Sequence, residues 1–242
     1  MCSAAIGAAA IGSVTYGIVS PSSSLLCPVI TRADRGAPGV ALTFDDGPWP
    51  GVTDRLLDLL KDAGARATFF VIGTHAARWP DLLRRIDAEG HVVGNHTTSH
   101  SYSLCFNWRR AWASELAKAD DMIAAIIGKR PMFFRPPMGF KTWHLAAATR
   151  GTGHSVIGWS RRALDGIPTT TDRIVTRLRN APTGEILALH DGVAPWSRRD
   201  PAATVAAVAR LLELSRSAGT RYVDLSELLG LPAYRAARSG TA

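Results

Sequence analysis

The sequence predicts an α/β chain built on a parallel sheet, open or closed, and three observations carry that reading. Short apolar runs recur at 40–44, 67–72, 92–94, 132–134, 155–159, 185–189 and 221–223. Amphipathic helical patterns lie between them. Parallel neighbours need a crossover, and a helix supplies it, so this alternation signals parallel pairing. With 242 residues, 46% of them apolar and 20% charged, the chain is of a size and composition to bury one large core.

The helical stretches follow in order. Residues 53–63 carry Leu56, Leu57, Leu59 and Leu60, and residues 80–89 carry Leu82, Leu83 and Ile86, an apolar stripe in each case. Residues 108–127 form a long amphipathic pattern, and 142–150, 171–179 and 201–217 complete the set. Neither an internal repeat nor a low-complexity tract is visible.

The first charged residue is Arg32. Residues 4–19 read AAIGAAAIGSVTYGIV, 16 positions, mostly Ala and Gly. That is short of the ~20 apolar residues that span a bilayer. No Lys or Arg precedes it to act as a signal-peptide n-region. The expectation is nevertheless a membrane anchor or export segment over 1–31, since 31 uncharged residues are unusual at a soluble surface. A polar linker over 32–39, one domain over 40–230 and a flexible tail over 231–242 are expected to follow. Membrane association and an envelope location follow from the segment. Arg32 and Arg35, which come after it, favour the cytoplasmic side instead.

Lys plus Arg is 28 and Asp plus Glu 20, a net charge of +8. The four lysines (Lys61, Lys118, Lys129 and Lys141) and the scattered arginines form no basic arm, so a nucleic-acid partner is not expected. Cys2, Cys27 and Cys105 are odd in number and form no C-x-x-C, which leaves no internal disulfide framework.

Polar residues of catalytic type sit at the C-terminal ends of the predicted strands: Asp45 and Asp46, His96 with His100 beyond it, Arg135, Asp165, and His190 with Asp191. In α/β barrels that rim builds active sites. His96 and His100, four apart, could point both imidazoles one way. With a carboxylate such as Asp46 they make a three-ligand set that leaves coordination positions open. The other adjacent carboxylate could then take a proton from water. His190 suits delivery of a proton to a departing amine, with Asp165 or Asp191 to orient it, and Arg135 could pin a carboxylate. His75, His91, His144 and His154 lack a partner at ligand spacing and are expected to be structural or solvated. Trp108 and Trp112 read as a core or rim stripe. Trp49, beside the Asp-Asp-Gly-Pro turn, is a candidate for stacking on a sugar ring.

The segments TFDDGP (43–48), HTTSH (96–100), FRPPMG (134–139) and LALHD (187–191) resemble the motifs of the polysaccharide deacetylases, the NodB-homology group or carbohydrate esterase family four. The resemblance covers roughly residues 38–230. It implies a distorted (β/α)7-type barrel in a single domain that removes acetyl groups from N-acetylated sugars with a divalent metal. Carried over by position, Asp45 is the general base and Asp46, His96 and His100 are the metal ligands. Arg135 holds the base, His190 is the general acid with Asp165 beside it, and the backbone N–H near Met138 helps bind the oxyanion. Trp49, Pro137, Met138 and Leu189 are the expected substrate contacts. Two imidazoles and a carboxylate suit Zn, with Co, Mn or Ni compatible. The chain departs from the family pattern at Met138, where an aromatic residue is common, and at Ala188, where Leu is common. It departs again at Arg162 and Gly166, which stand at an Asp and a Trp. These changes imply an altered, roomier acyl pocket. The alternatives are an O-deacetylase of acetylated polysaccharide, a deformylase of a lipid-linked amino sugar and, remotely, a non-catalytic sugar binder.

Overall fold

Every residue of Val40–Asp45 (β1) is buried. A strand apolar along its whole length belongs in the middle of a parallel sheet, covered on both faces. The computed structural model describes residues 15–18, 20, 22–34, 36–101, 103–104, 107–192 and 201–236, and places β1 there. The other strands are β2 (Thr68–Val71), β3 (Val92–Asn95), β4 (Arg130–Pro131), β5 (Phe133–Phe134), β6 (Ser155–Val156), β7 (Arg161–Arg162), β8 (Ile186–His190), β9 (Tyr222–Val223) and β10 (Tyr234–Arg235). The helices are α1 (Thr53–Ala63), α2 (Gly73–Arg78), α3 (Pro80–Ala88), α4 (Arg109–Ile127), α5 (Trp143–Thr152), α6 (Thr171–Leu178), α7 (Pro201–Ala218) and α8 (Leu225–Leu229).

The main sheet runs β6-β5-β3-β2-β1-β8-β7, with every pair parallel and β9 joined to the start of β1. Its two outermost strands, β6 and β7, are consecutive in the chain and linked by residues 157–160. So short a link forces the sheet to curl until its edges approach, which makes a distorted, incompletely paired barrel. The sequence reading took 155–159 as one strand. The structure ends β6 at Val156; Ile157 and Gly158 then hold Ile30, and 157–160 carry the chain across the gap to β7. The run at 221–223 likewise pairs only with Val40 and Ala41 rather than forming a full seventh barrel strand.

Alternation along the strands sorts the core. Leu42 and Phe44 of β1 and Leu187 and Leu189 of β8 face the helices, where they meet Leu56, Leu57 and Leu60 of α1 and Val208 and Leu211 of α7. Ala41, Thr43 and Asp45, and Ile186, Ala188 and His190, therefore face the inside of the curl. Register pairs Asp45 with His190 at the same level. Two short helices went unread in the sequence: α2, and α8, which Asp224 caps by accepting the Glu227 N–H at 3.0 Å.

The expected boundaries need correction at both ends. Ile30 forms a bridge to Ile157, its N–H donating to Val156 O at 2.9 Å, and Cys27 is fully buried against Leu116, Phe134 and Leu145. Arg32 bridges Glu185. Thus 22–31 belongs to the domain, and 32–39 is tied to it rather than a free linker. Within 22–31, Ser23 and Cys27 are the buried residues. At the other end Tyr234–Arg235 pairs antiparallel with β4, so the expected tail is held through this strand. The anchor expectation for residues 1–14 and the tail expectation for 237–242 lie outside the described residues. Among the described residues no helix is long and apolar enough to cross a membrane.

Close approach of β1 and β8 at their C-terminal ends demands glycine. A Cβ on Gly192 would lie 2.0 Å from the Asp46 carbonyl oxygen. Gly192→Ala must therefore displace backbone that carries Asp46. It is expected to destabilise the fold by roughly 1–3 kcal/mol, the scale of overpacking, and to weaken divalent-metal binding. Chemical denaturation and metal titration check this; an alanine variant as stable and as metal-competent as the parent would refute it.

Candidate active site

Asp45 ends β1 and is buried. Its Oδ1 accepts a hydrogen bond from Arg135 Nη1 at 2.7 Å. Arg135 follows β5 and is fully buried, so each of its donors needs a partner. Nη1 also donates to Thr43 Oγ1 (2.7 Å), Nη2 to Gly158 O (2.9 Å) and Nε to Ile157 O (3.4 Å). The guanidinium lies 4.2 Å from the Phe70 ring centroid and 5.7 Å from that of Trp159. Arg135 thus ties the 157–158 link to β1 while it aims Asp45. It meets the carboxylate through one oxygen.

Asp46 adopts φ 73°, in the left-handed region, which turns its carboxylate away from that of Asp45. Its Oδ1 lies 3.3 Å from His96 Nε2 and 3.2 Å from His100 Nε2. His96 Nδ1 lies 2.7 Å from Arg135 O. A carbonyl only accepts, so Nδ1 carries the proton and Nε2 presents a lone pair to Asp46. Burial pushes the His100 imidazole down to about 4, so it is neutral near pH 7. Burial alone would raise the Asp46 carboxyl, but the facing His96, with His190 and His100, outweighs it and holds Asp46 well below the usual carboxylate range. Asp46 Oδ1 is buried with no hydrogen-bond partner among the described residues. A carboxylate oxygen facing two imidazole nitrogens, ligand atoms all within 4.8 Å of one another, is a donor set made for a cation.

The loop that carries the two histidines is braced from α4. Glu115 Oε2 accepts the N–H groups of Thr98 (3.0 Å) and Ser99 (3.1 Å), and Glu115 O accepts the Thr98 hydroxyl (2.8 Å). Asn95 Oδ1 accepts the Thr97 N–H (2.8 Å) while its Nδ2 donates to Asp120 Oδ1 (2.8 Å). His75 Nδ1 donates to the Asp46 carbonyl at 2.8 Å.

Across the site His190 Nδ1 pairs with Asp165 Oδ1 at 2.7 Å, and its N–H donates to Asp165 Oδ2 at 3.0 Å. The Thr204 hydroxyl donates to Asp165 Oδ2 at 2.8 Å. Burial alone would lower the His190 imidazole, but the charge and hydrogen bond of Asp165 outweigh it, with Asp46 and Asp45 adding, and lift it to about 9. His190 is therefore a charged acid at neutral pH. Being raised above the ordinary 6.5, its stabilising charge is complete below 6.5 and lost as pH rises through about 9. A cation at Asp46 offsets the help from Asp45 and Asp46 but not that from Asp165. The alkaline limb of kcat/KM is expected below pH 9, and Asp165→Asn is expected to draw it toward 6.5. A limb unmoved by Asp165→Asn would refute this assignment. The second candidate partner, Asp191, instead accepts the Thr53 hydroxyl at 2.6 Å and braces the Asp-Asp-Gly-Pro turn.

The expected substrate contacts divide. Met138, at φ 57° on a 3-10 turn, is 56% exposed at the rim, and Pro137 beneath it is buried. Trp49 is half-buried against the core and meets His75 edge-on at 5.4 Å. Leu189 is not a substrate contact: it is fully buried on the helix-facing side of β8, opposite His190. Ala188 takes the inner position. A Cβ on Gly166 would lie 3.3 Å from His190 Cε1, so a bulky residue there would cover an imidazole that is 28% accessible in this chain.

Sequence reasoning missed Thr43, His75, Asn95, Asp120, Trp159 and Thr204. Thr43 had a signal, since it stands two residues before Asp45 and so shares its face of β1. Trp159, which packs over Gly139 and the Arg135 guanidinium, had none.

Residues 32–157 match the polysaccharide deacetylase family model. A peptidoglycan-N-acetylglucosamine deacetylase from Bacillus cereus is 34% identical over 196 residues, covering 78% of this chain and 87% of the relative. A chitooligosaccharide deacetylase from Sinorhizobium fredii is 36% identical over 196 residues, covering 76% and 88%. Among solved structures, a peptidoglycan N-acetylglucosamine deacetylase in complex with a naphthalenyl N-oxidanyl-benzamide superposes with a TM-score of 0.77 at 29% identity, covering 85% of this chain and 94% of that one. A family 4 carbohydrate esterase from Streptomyces lividans in complex with acetate gives 0.69 at 32%, covering 77% and 92%. Curled parallel sheet, strand-end chemistry and overall likeness converge: the chain belongs to the polysaccharide deacetylases of the NodB-homology, carbohydrate esterase family four group, and is an enzyme of that family.

Proposed function

We propose that this enzyme is a divalent-metal-dependent hydrolase that removes N-acetyl groups from amino sugars of a cell-envelope glycan. The observation that carries the proposal is the buried Asp46 oxygen facing the Nε2 atoms of His96 and His100, with Asp45 and His190 paired at the same level of the sheet. The names of the similar deacetylases, directed at peptidoglycan N-acetylglucosamine and chitooligosaccharides, support the substrate class. The uncharged N-terminal segment supports the envelope location.

A divalent cation on Asp46, His96 and His100, with Zn the best fit to that donor set, supplies Lewis acidity toward water and the acyl oxygen. Asp45, kept aimed by Arg135, takes the proton of the attacking water. His190, held charged by Asp165, gives its Nε2 proton to the departing sugar amine as the C–N bond breaks. Free amine and acetate result. The space left by Gly166 and Ala188 accommodates an acyl group or sugar bulkier than a covered site would take.

The test is acetate release by the full chain, stripped with chelator and reloaded with Zn, on chitin oligomers, peptidoglycan and acetylated xylan in parallel. Expected is acetate from an N-acetyl substrate that disappears on stripping and returns on reloading. Acetate from xylan alone would establish O-deacetylation instead. Silence on all three with Zn bound would sink the generic-glycan reading.

A further inference from the structure

Large aromatic rings left in water need a reason. Trp108 is 75% and Trp143 55% exposed, and both rings flank one imidazole, His144, at 4.9 and 5.6 Å. Trp143 Nε1 donates to His144 Nε2 at 3.1 Å, which holds the pair in place. Arg109 and Arg110, directly after Trp108, are exposed as well. The N-terminal segment docks beside this cluster. Lys141, two residues before Trp143, donates its N–H to Ile18 O at 3.1 Å and its buried ammonium to Ser20 O at 2.7 Å. Tyr16, and Leu25 which lies over Gly17, are 59% and 62% exposed. The catalytic mouth shares the apolar character: Met138 at 56% and Ile167, next to Gly166, at 62% are exposed on its two sides.

Tryptophan and tyrosine rings settle at the boundary between headgroups and acyl chains, and arginines beside them attract anionic lipid. We infer that Tyr16, Leu25, Trp108 and Trp143, with Arg109 and Arg110, rest on an anionic bilayer surface, so that the catalytic rim opens toward the membrane and takes a glycan still held there. The surface stands on its own; the substrate half rests on the deacetylase reading above.

The test is quenching of the full chain's tryptophan fluorescence by vesicles of phosphatidylcholine and phosphatidylglycerol with brominated acyl chains. Expected is strong quenching that a Trp108→Phe/Trp143→Phe double variant loses. Partition is expected to weaken about tenfold in Arg109→Gln/Arg110→Gln, with release of acetate from soluble chitooligosaccharide changed by less than about twofold in either variant. Equal quenching in parent and double Trp variant would overturn the inference, since residues 1–14 would then bind alone. A double variant with raised KM for long oligomers, beside a parent that shows no quenching, would also overturn it and make the rings a sugar platform. Quenching intact with no acetate from any N-acetyl glycan would leave the surface standing and sink the deacetylase reading.

Discussion

Replacement of Arg135 by methionine is expected to lower folding stability by about 3–5 kcal/mol and kcat by at least ~10²-fold. The guanidinium has no solvent exposure and is tied to Asp45, Thr43, Gly158 and Ile157. Methionine fills the space but leaves the buried Asp45 carboxylate uncompensated and two carbonyls without a donor. Loss of one partner of a buried ion pair costs far more than the pair contributes to stability, because the remaining charge stays desolvated. The same change frees the base to turn from its working direction. Denaturant midpoints at unchanged slope measure the first effect and steady-state kinetics the second. Arg135→Lys, which keeps charge but not the fork, is expected to recover part of the stability and little of the rate. A methionine variant within about 1 kcal/mol of the parent, below the range for breaking a buried pair, would show that the bridge is dispensable.

Asp45→Asn separates chemistry from fold. The amide oxygen still accepts from Arg135 Nη1, so stability and metal content are expected to stay near those of the parent. The amide has no basic oxygen to take the water's proton, and kcat is expected to fall by about 10²–10⁴-fold. The readouts are acetate release, metal stoichiometry and thermal midpoint on the same preparation. A fall of less than tenfold with metal bound would move the base elsewhere. Loss of metal in the variant would show that Asp45 helps hold the cation.

Much of the reacting chemistry was legible in the chain because it is carried by contiguous motifs and strand period. Asp45 and Asp46, His96 and His100, Arg135, Asp165 and His190 were read from their places after apolar runs, and the structure gathers them on one rim. What surrounds them was not legible. Asn95 reaches Asp120, His75 reaches the Asp46 carbonyl and Thr204 reaches Asp165 across 25, 29 and 39 positions of chain. The crossing from one sheet edge to the other over 157–160 and the packing of Cys27 into the core were also beyond local pattern.

The sequence by itself determined that paired carboxylates, imidazoles and an arginine stand where parallel strands end. Those properties depend on residue type and short-range period. Tertiary structure alone decided what braces those groups: Thr43 on Arg135, His75 on the Asp46 carbonyl and Thr204 on Asp165. It also gathered Trp108 and Trp143 around His144, near the Lys141 contacts to Ile18 and Ser20. These depend on how far a curled sheet and its helices bring distant residues together, and packing sets those distances.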